Sequence, residues 1–375
     1  MKNMLWYLKK YGNESFDKLK FNEIDALIFA ELGYLNFELF SADSNQELFI
    51  KDVVNAKNAK KLSYNSTTRP KNEKLCALME HTTRYDNVYF KAHRGIIDNE
   101  NVEQFFALTF FILDFCYIVF RGTDLSITGW EEDLNMSYMN EVPSQRDAVK
   151  YIMDISNLYD RKIMVGGHSK GGNLALYASI FAEIDVQDEI IKVYDFDGPG
   201  FLDKSILHTP EFKRIENRVC AISSTMSTVA MLLYNVDNIQ FLKTSGFTVL
   251  QHDPFNWHIA NQSSFKRVKR NSITSRYFER SIDRFFNETT NEDREKYVKI
   301  LVHIAKEKPD SSLLDVKKKP FRYFRNMRER KRLLNKDDYT FYKLFNKKIF
   351  AIFRSELKSS IKRRTKNRKN VVLNH

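Results

Sequence analysis

Cysteine is scarce in this sequence, with Cys76, Cys116 and Cys220 the only three among 375 residues. An odd and widely spaced set in apolar surroundings matches neither a disulfide framework nor a zinc motif, so we expect buried thiols in a reducing compartment. Metal-ligand spacings of His, Cys, Asp and Glu are missing as well, and so is the glycine fingerprint of a dinucleotide-binding turn. The sequence therefore predicts neither a metal nor an organic cofactor.

Long hydrophobic runs are also missing. No stretch approaches the roughly 20 apolar residues of a membrane-spanning helix. The apolar segment 4–8 is too short for the core of a secretory signal, and we therefore expect a cytoplasmic protein. Hydrophobic residues still make up 43% of the chain and aromatic residues 14%, which predicts a sizeable folded core rather than a disordered chain.

Charge is unevenly distributed along the chain. The net charge is +12, yet residues 316–375 hold 21 Lys or Arg against 4 Asp or Glu, a net charge of +17. Residues 1–315 therefore carry a net charge of −5. This distribution indicates a mildly acidic body with a strongly basic tail, and any attraction to an anionic partner belongs to the tail.

Predicted strands and helices alternate through the middle of the chain. Residues 104–113 and 115–120 are apolar runs separated by Asp114, which predicts a hairpin. The alternation predicts an α/β fold, with a mostly parallel sheet flanked by helices. Further strands are expected at 88–92, 163–165, 190–196, 218–223 and 247–252, and helices at 144–160, at 174–182 and within 21–40, the last of these ending near Gly33.

One segment follows a predicted strand and opens a helix around a serine. Gly167-His168-Ser169-Lys170-Gly171 fits the Gly-x-Ser-x-Gly pattern of a nucleophile elbow, in which a strained backbone raises the serine hydroxyl above the sheet edge. Flanking glycines avoid the collisions that a Cβ would cause in so tight a turn. The backbone N–H of Lys170 is then expected to point at a developing oxyanion. A glycine-rich turn or phosphate loop is the alternative, although the Lys-Ser/Thr ending of a P-loop is missing.

Four further motifs accompany the elbow. They are Phe-Arg-Gly-Thr-Asp at 120–124, Gly-Trp-x-Glu-Asp at 129–133, Asp-Gly-Pro-Gly-Phe at 197–201 and Gln-His-Asp-x-x-x-Trp at 251–257. In this combination the chain resembles class 3 lipases, and more closely a bacterial branch of lipase-like α/β-hydrolases. The resemblance covers roughly residues 20–290 and leaves out the basic tail.

The resemblance implies a serine hydrolase that cleaves carboxylic acyl esters, with a lipid or lysolipid as substrate. It implies that Ser169 is the nucleophile and His252 the general base. It also implies that the backbone N–H groups of Thr123 and Lys170 form the oxyanion hole.

Two other histidines and one ion pair near the elbow also have expected roles. His168 and His258 are the alternatives to His252 as the base, and His168 is expected to pack or hydrogen-bond beneath the elbow. Arg121 and Asp133 are expected to form an ion pair that braces the turn before Thr123.

The chain departs from the class 3 pattern at the triad acid. Ser227 stands where those lipases carry the Asp of an Asp-x-Val sequence, and a neutral hydroxyl cannot stabilise an imidazolium by charge. Asp197 is our candidate, since it ends the strand after the elbow helix and keeps the chain order Ser, Asp, His. A turn residue ahead of Gly198-Pro199 is the other interpretation of Asp197. Asp253 is less favoured, because adjacent side chains on an extended segment point apart.

This departure keeps a second function open. A catalytically weak or inactive hydrolase-fold protein could serve as a membrane- or partner-binding module, with the basic tail as its contact.

The tail is expected to form a separate part of the molecule, with residues 1–312 as the lipase-like α/β-hydrolase domain and 313–375 as a basic amphipathic helical extension. Three interpretations stay open: docking onto anionic lipid headgroups at the inner face of a membrane, nucleic-acid binding, and packing on the body with solvated charges. The apolar positions that recur every four residues are Phe341, Phe345, Ile349, Phe353, Leu357 and Ile361.

Overall fold

The computed structural model describes residues 1–41, 43, 46–64, 66, 68–227, 229–247, 249–269, 274–306 and 334–372. Within these ranges an eight-stranded mixed sheet has its strands in the order in which they occur along the chain. The strands are β1 (Leu48–Phe49), β2 (Tyr89–Asp98), β3 (Glu103–Ile112), β4 (Phe115–Phe120), β5 (Lys162–His168), β6 (Ile190–Phe196), β7 (Val219–Ser224) and β8 (Gln240–Leu242).

Helices flank this sheet and form the C-terminal part of the described chain. None of them combines the length and the apolar composition that a bilayer-crossing segment requires, as far as the described ranges go. The helices are α1 (Met4–Tyr11), α2 (Glu23–Leu32), α3 (Ile50–Val53), α4 (Ala59–Leu62), α5 (Arg69–Met79), α6 (Ile127–Asn135), α7 (Pro143–Leu158), α8 (Lys170–Phe181), α9 (Ile184–Glu189), α10 (Pro210–Ile215), α11 (Val249–His252), α12 (Thr274–Glu288), α13 (Asn291–Lys306) and α14 (Lys336–Val372).

Strand direction divides the sheet into two parts. Strands β1 to β4 pair antiparallel, and β3 with β4 forms the predicted hairpin, with Ile112 opposite Phe115. Strands β4 to β8 pair in parallel. Parallel strands place their carboxyl ends along one edge, where the loops that follow them meet. The predicted α/β sheet, mostly parallel and flanked by helices, is confirmed.

Strand β4 shows why the sheet is covered on both faces. Every residue of β4 is buried, and successive side chains of a strand point to opposite faces. Phe115, Tyr117 and Val119 join a core that includes residues of α1, α2 and α5. Cys116, Ile118 and Phe120 join a second core that includes residues of α7, α8 and α10. The two apolar faces explain the unbroken hydrophobic run in the sequence.

The three cysteines are free and buried, as predicted. Burial raises the pKa of the Cys220 thiol to about 11 and that of the Cys116 thiol to about 12. These thiols are therefore protonated at neutral pH and behave as small apolar side chains.

The strand predicted at 247–252 is wrong. The last strand is β8, and α11 (Val249–His252) is a helical turn. Gly246 has φ +85°, which breaks the extended backbone before this segment. Phe247 is 77% exposed and Leu250 56%, so these two apolar side chains do not face a core. The short edge strand β1 was not predicted.

The predicted boundary at residues 312 and 313 lies outside the described residues, as does the beginning of the basic tail at 313–333.

A fully buried ion pair fixes α2 against the segment before β2. Helix α2 begins with a capping box at Asn22 and ends at Gly33, as predicted. Its Asp25 accepts from Arg84 Nε at 2.8 Å and from Arg84 Nη2 at 2.6 Å. Tyr85 and Tyr7 donate to the same carboxylate through their hydroxyls. Because the whole network is buried, the guanidinium depends on this one carboxylate.

We expect Asp25→Asn to lower the free energy of unfolding by about 3–5 kcal/mol, because it leaves the Arg84 charge buried without a counter-charge. Asp154→Asn is the matched control, since Asp154 pairs with Arg94 at 2.5 Å but both side chains are partly exposed. Exposed pairs contribute about 0–1 kcal/mol. Urea unfolding of both variants checks the prediction, and equal losses would contradict it.

Candidate active site

Ser169 lies between β5 and α8 in the strained conformation expected of a nucleophile elbow. Its φ is +61° and its ψ is −132°, in a region that residues with a Cβ rarely adopt. The Ser169 N–H donates to the carbonyl of Phe196 at 3.0 Å, which continues the pairing of β5 with β6. The turn is tightly packed, because a Cβ on Gly171 would lie 2.1 Å from the Phe120 carbonyl oxygen. The strand, strained serine and helix of the sequence prediction are all present.

Asp197 and His252 are brought together by the fold. Asp197 directly follows β6, and its fully buried carboxylate accepts from His252 Nδ1 through Oδ2 at 2.6 Å. Its other oxygen accepts from the Ser223 hydroxyl and, at 3.4 Å, from the Ser224 N–H. With Nδ1–H donated to the carboxylate, Nε2 is the ring nitrogen that is left to accept a proton.

Asp197 also shares the backbone strain of Ser169. Its φ is +60°, and its N–H donates to the Ile222 carbonyl at 2.8 Å. Ser169 and Asp197 thus leave neighbouring parallel strands in the same way, at the same edge of the sheet. The side chain stays at this edge because the next strand, β7, supplies Ser223 and Ser224 as partners.

The other candidate acids have different partners. Asp253 Oδ2 accepts from Lys71 Nζ at 2.5 Å. Ser227 is buried and its hydroxyl accepts from the N–H groups of Val229 at 3.2 Å and of Ala230 at 3.3 Å. Ser227, where the resemblance would place the acid, therefore caps a turn instead.

The two other histidines differ in their relation to His252. His168 is buried with its ring centroid 4.5 Å from that of His252, and its Nε2–H donates to the His252 carbonyl at 2.9 Å. The Tyr34 hydroxyl lies 3.2 Å from His168 Nδ1. Desolvation, followed by the neighbouring His252, lowers the pKa of His168 to about 3, so the ring is neutral at physiological pH. His258 instead contacts the Ser245 hydroxyl at 2.7 Å.

His168 therefore acts as the support that was expected beneath the elbow. His168 directly precedes Ser169, and its ring holds the backbone carbonyl of His252 beside the elbow. Tyr34, which sequence reasoning missed, completes this support, and no motif near it signals the role.

Thr123 lies in the loop after β4, and the contacts that hold this loop differ from the prediction. The Thr123 hydroxyl donates to Asp133 Oδ2 at 2.5 Å. Arg121 donates to the carbonyls of Gly33 at 2.6 Å and Leu35 at 2.7 Å, and its guanidinium lies over the Phe106 ring. The expected ion pair between Arg121 and Asp133 is therefore wrong. Arg121 braces the turn from the α2 side, through backbone carbonyls that sequence spacing does not reveal.

Lys170 has an anchored side chain that the sequence did not predict. Its Nζ donates to Glu132 Oε2 at 2.7 Å and to the Gln104 carbonyl at 2.7 Å, and the ion pair is buried. Glu132 also accepts from the N–H groups of Gln104 and Ser144. The Lys170 N–H lies at the start of α8, where backbone donors lack a partner within the helix. Helix α6 thus holds both predicted oxyanion residues, Thr123 through Asp133 and Lys170 through Glu132.

Within the described residues, no hydrogen bond joins Ser169 Oγ to the His252 ring. Among the described residues, none is hydrogen-bonded to the Ser169 hydroxyl, which is half-buried. Catalytic hydrogen bonds are often long without substrate and shorten in the complex.

No group of three or more His, Cys, Asp or Glu side chains in the described ranges is arranged to hold a metal ion.

Asp195 is a buried carboxyl beside the site that sequence reasoning did not single out. Its Oδ1 accepts from the Gly198 N–H at 2.9 Å, which fixes the turn after Asp197. Burial raises the pKa of Asp195 to about 7, with a smaller contribution from Asp197. In the folded protein this carboxyl therefore holds its proton over a pH range in which the unfolded chain has released it.

A family model described as Mbeg1-like matches residues 79–303. The match includes Thr123, Ser169, Asp197 and His252, and it ends before α14. No curated protein matches the chain.

The Asp195 carboxyl makes stability depend on pH. Its pKa in the folded protein lies above its pKa in the unfolded chain. The contribution of Asp195 to the free energy of unfolding is therefore largest below pH 3.8 and falls as the pH rises to about 7. Asp195→Asn keeps the acceptor for Gly198 and cannot ionise. We therefore compare the free energy of unfolding of Asp195→Asn with that of the native chain. We expect the difference, variant minus native, to increase by about 1.4 kcal/mol per pH unit between pH 3.8 and about 7.

Urea unfolding across this pH range measures the effect, with the exposed Asp188→Asn as control. An advantage that does not change with pH would contradict the prediction.

Proposed function

The chain belongs to the Mbeg1-like family, which is related to lipase-like proteins, and we propose that it is a serine hydrolase that cleaves carboxylic acyl esters through an acyl-enzyme. The observation that carries this proposal is the buried Asp197 carboxylate on His252 Nδ1, at the same sheet edge as the strained Ser169. A turn residue alone needs neither a histidine partner nor a second layer of serine donors. The resemblance to class 3 lipases supports a lipid or lysolipid as the substrate.

In the proposed mechanism, Ser169 Oγ attacks the ester carbonyl while His252 Nε2 takes the hydroxyl proton. Asp197 keeps Nδ1–H oriented and stabilises the imidazolium that forms. The backbone N–H groups of Lys170 and Thr123 bind the oxyanion of the tetrahedral intermediate. Losing one such donor typically lowers the rate about 10²–10³-fold.

The intermediate collapses when the C–O bond to the alcohol breaks and His252 returns its proton to the leaving oxygen. A water then attacks the acyl-Ser169 ester and gives its proton to the same Nε2. The carboxylic acid leaves when the bond to Ser169 Oγ breaks, and His252 reprotonates the serine. The reaction balances with water as the only second reactant.

The alternative is a catalytically weak or inactive hydrolase fold that serves as a binding module. It was motivated by the missing Asp-x-Val acid at Ser227. Asp197 supports the hydrolase proposal because it supplies a carboxylate to the base. The two experiments below separate the hypotheses.

We expect Ser169→Ala to abolish covalent labelling by a fluorophosphonate probe, because such probes phosphonylate an activated serine. Ser263→Ala, which removes an exposed serine, should label like the native protein. In-gel detection of the labelled protein measures both. Labelling that survives in Ser169→Ala, or that is missing from the native protein, would argue against the proposed nucleophile.

We expect Asp197→Asn to lower turnover of a short acyl ester by about 10³–10⁴-fold, because the amide cannot stabilise the imidazolium or its tautomer. Asn is a conservative choice, since it tolerates the positive φ of this position. Asp253→Asn is the matched control, because Asp253 adjoins His252 but pairs with Lys71. Steady-state kinetics would contradict the assignment if the two variants lost the same activity.

A further inference from the structure

Helix α14 is held by one face against α12 and α13. Its Ile352 is 2% exposed, and its Phe345 ring lies 4.6 Å from that of Tyr297 on α13. Polar contacts join the same face to α12. Among them, Arg284 Nη1 lies 3.1 Å from Glu356 Oε1, and Arg280 Nη2 donates to the Ser360 hydroxyl at 2.9 Å. These contacts fix the rotation of α14 about its axis. They therefore also fix which side chains it presents to solvent.

The opposite face of α14 is both basic and apolar. We call it the outer face, and between residues 343 and 358 it carries four cations, three large apolar side chains and no acid. Glu356, the one acid in this stretch, belongs to the packed face and is paired there. The cations and large apolar side chains exposed on it are Lys343, Leu344, Lys347, Phe350, Arg354, Leu357 and Lys358.

The exposure of the apolar members is large. Phe350 is 73% exposed, Leu344 60% and Leu357 48%. The cations recur at spacings of four and seven residues, so they share one stripe of the helix, and Phe350 and Leu357 border that stripe. The helix continues to Val372 through six more Lys or Arg residues and no Asp or Glu.

We propose that the outer face of α14 binds an anionic lipid surface. A helix that lies in the headgroup region needs cations for lipid phosphates and carboxylates, together with apolar side chains that enter the acyl boundary. The outer face has both, with no acid to repel the headgroups. The acidic body is not the complementary partner, because the packed face of α14 already makes the contacts within the chain.

Nucleic acid would bind the cations of the outer face but not its apolar side chains. Phosphate groups of a duplex would attract the same cations by counterion release. They offer nothing to Leu344, Phe350 and Leu357, whose burial is favoured on a lipid surface and not along a sugar-phosphate backbone. The apolar members therefore decide between the two kinds of partner.

Vesicle flotation of the full chain tests the proposal. The native protein should float with vesicles of phosphatidylserine and phosphatidylcholine, should not float with phosphatidylcholine alone, and should be released by added salt. Arg354→Gln with Lys358→Gln should weaken binding about thirtyfold, since each cation near an anionic surface contributes about 1 kcal/mol. Phe350→Ser with Leu357→Ser should weaken it at least about tenfold, because the apolar area no longer enters the interface.

Matched controls lie on the body of the protein. Ile97→Ser with Leu158→Ser removes two apolar side chains of comparable exposure, and Lys57→Gln with Lys60→Gln removes two exposed cations. Both should float like the native protein. Thermal unfolding midpoints of all variants show whether the fold is intact. Ser169→Ala should float normally, so this test is independent of the proposed catalysis.

Three results would overturn the proposal. One is equal binding to neutral and anionic vesicles, and another is unchanged flotation of both α14 double variants. The third is binding to duplex DNA, in place of vesicles, that Arg354→Gln with Lys358→Gln weakens and Phe350→Ser with Leu357→Ser leaves unchanged.

Discussion

Two non-glycine residues at the carboxyl edge of a parallel sheet carry the backbone strain on which the candidate site depends. Ser169 and Asp197 both have φ near +60°, a sparsely populated region that costs on the order of 1–3 kcal/mol for a residue with a Cβ. Each N–H bonds to the carbonyl of the next strand, Ser169 to Phe196 and Asp197 to Ile222. The ladder of β5, β6 and β7 thus holds both residues in the strained state. Strain maintained in this way is typical of functional sites.

Two buried charges at this edge, Lys170 and Asp197, are matched to specific partners. Lys170 pairs with Glu132, and the Asp197 carboxylate has His252 together with donors from β7. A buried charge without a partner is strongly unfavourable, so each pair fixes the position of two elements at once. Helix α6 holds the start of α8 through the Glu132 ion pair and the loop of Thr123 through a hydrogen bond to Asp133. Preorganised donors of this kind are what an oxyanion hole requires.

The candidate triad and the proposed lipid-binding face lie in parts of the chain that differ in charge. The mildly acidic body contains the candidate triad, whereas α14 carries twelve Lys or Arg against three Asp or Glu. An esterase that acts on lipids needs access to an interface, and a basic helix with an exposed apolar border would supply it. The family match ends before α14, so the proposed surface and the proposed catalysis rest on different parts of the chain and can fail separately.

Local pattern by itself determined the elbow, the β3–β4 hairpin and α2. Glycine at 167 and 171, the continuous apolar run of β4 and the Gly33 end of α2 express backbone sterics and side-chain periodicity within a few residues. The order of strands and helices likewise predicted the α/β sheet, because each element shows its own period. The pairing of Asp197 with Ser169 and His252 was proposed from chain order. Order alone did not separate a triad acid from a turn residue.

Tertiary structure decided the partners. Asp197 meets His252 across 55 residues because β6 ends beside the place where α11 turns, and α11 itself was predicted as a strand. Arg121 bonds to carbonyls of residues 33 and 35 instead of Asp133, since backbone acceptors leave no mark in a sequence. The same holds for Tyr34 beneath His168 and for the face of α14 that remains in solvent. Propensity is local, whereas hydrogen-bond partners and exposed faces depend on which distant segments the folded chain brings into contact.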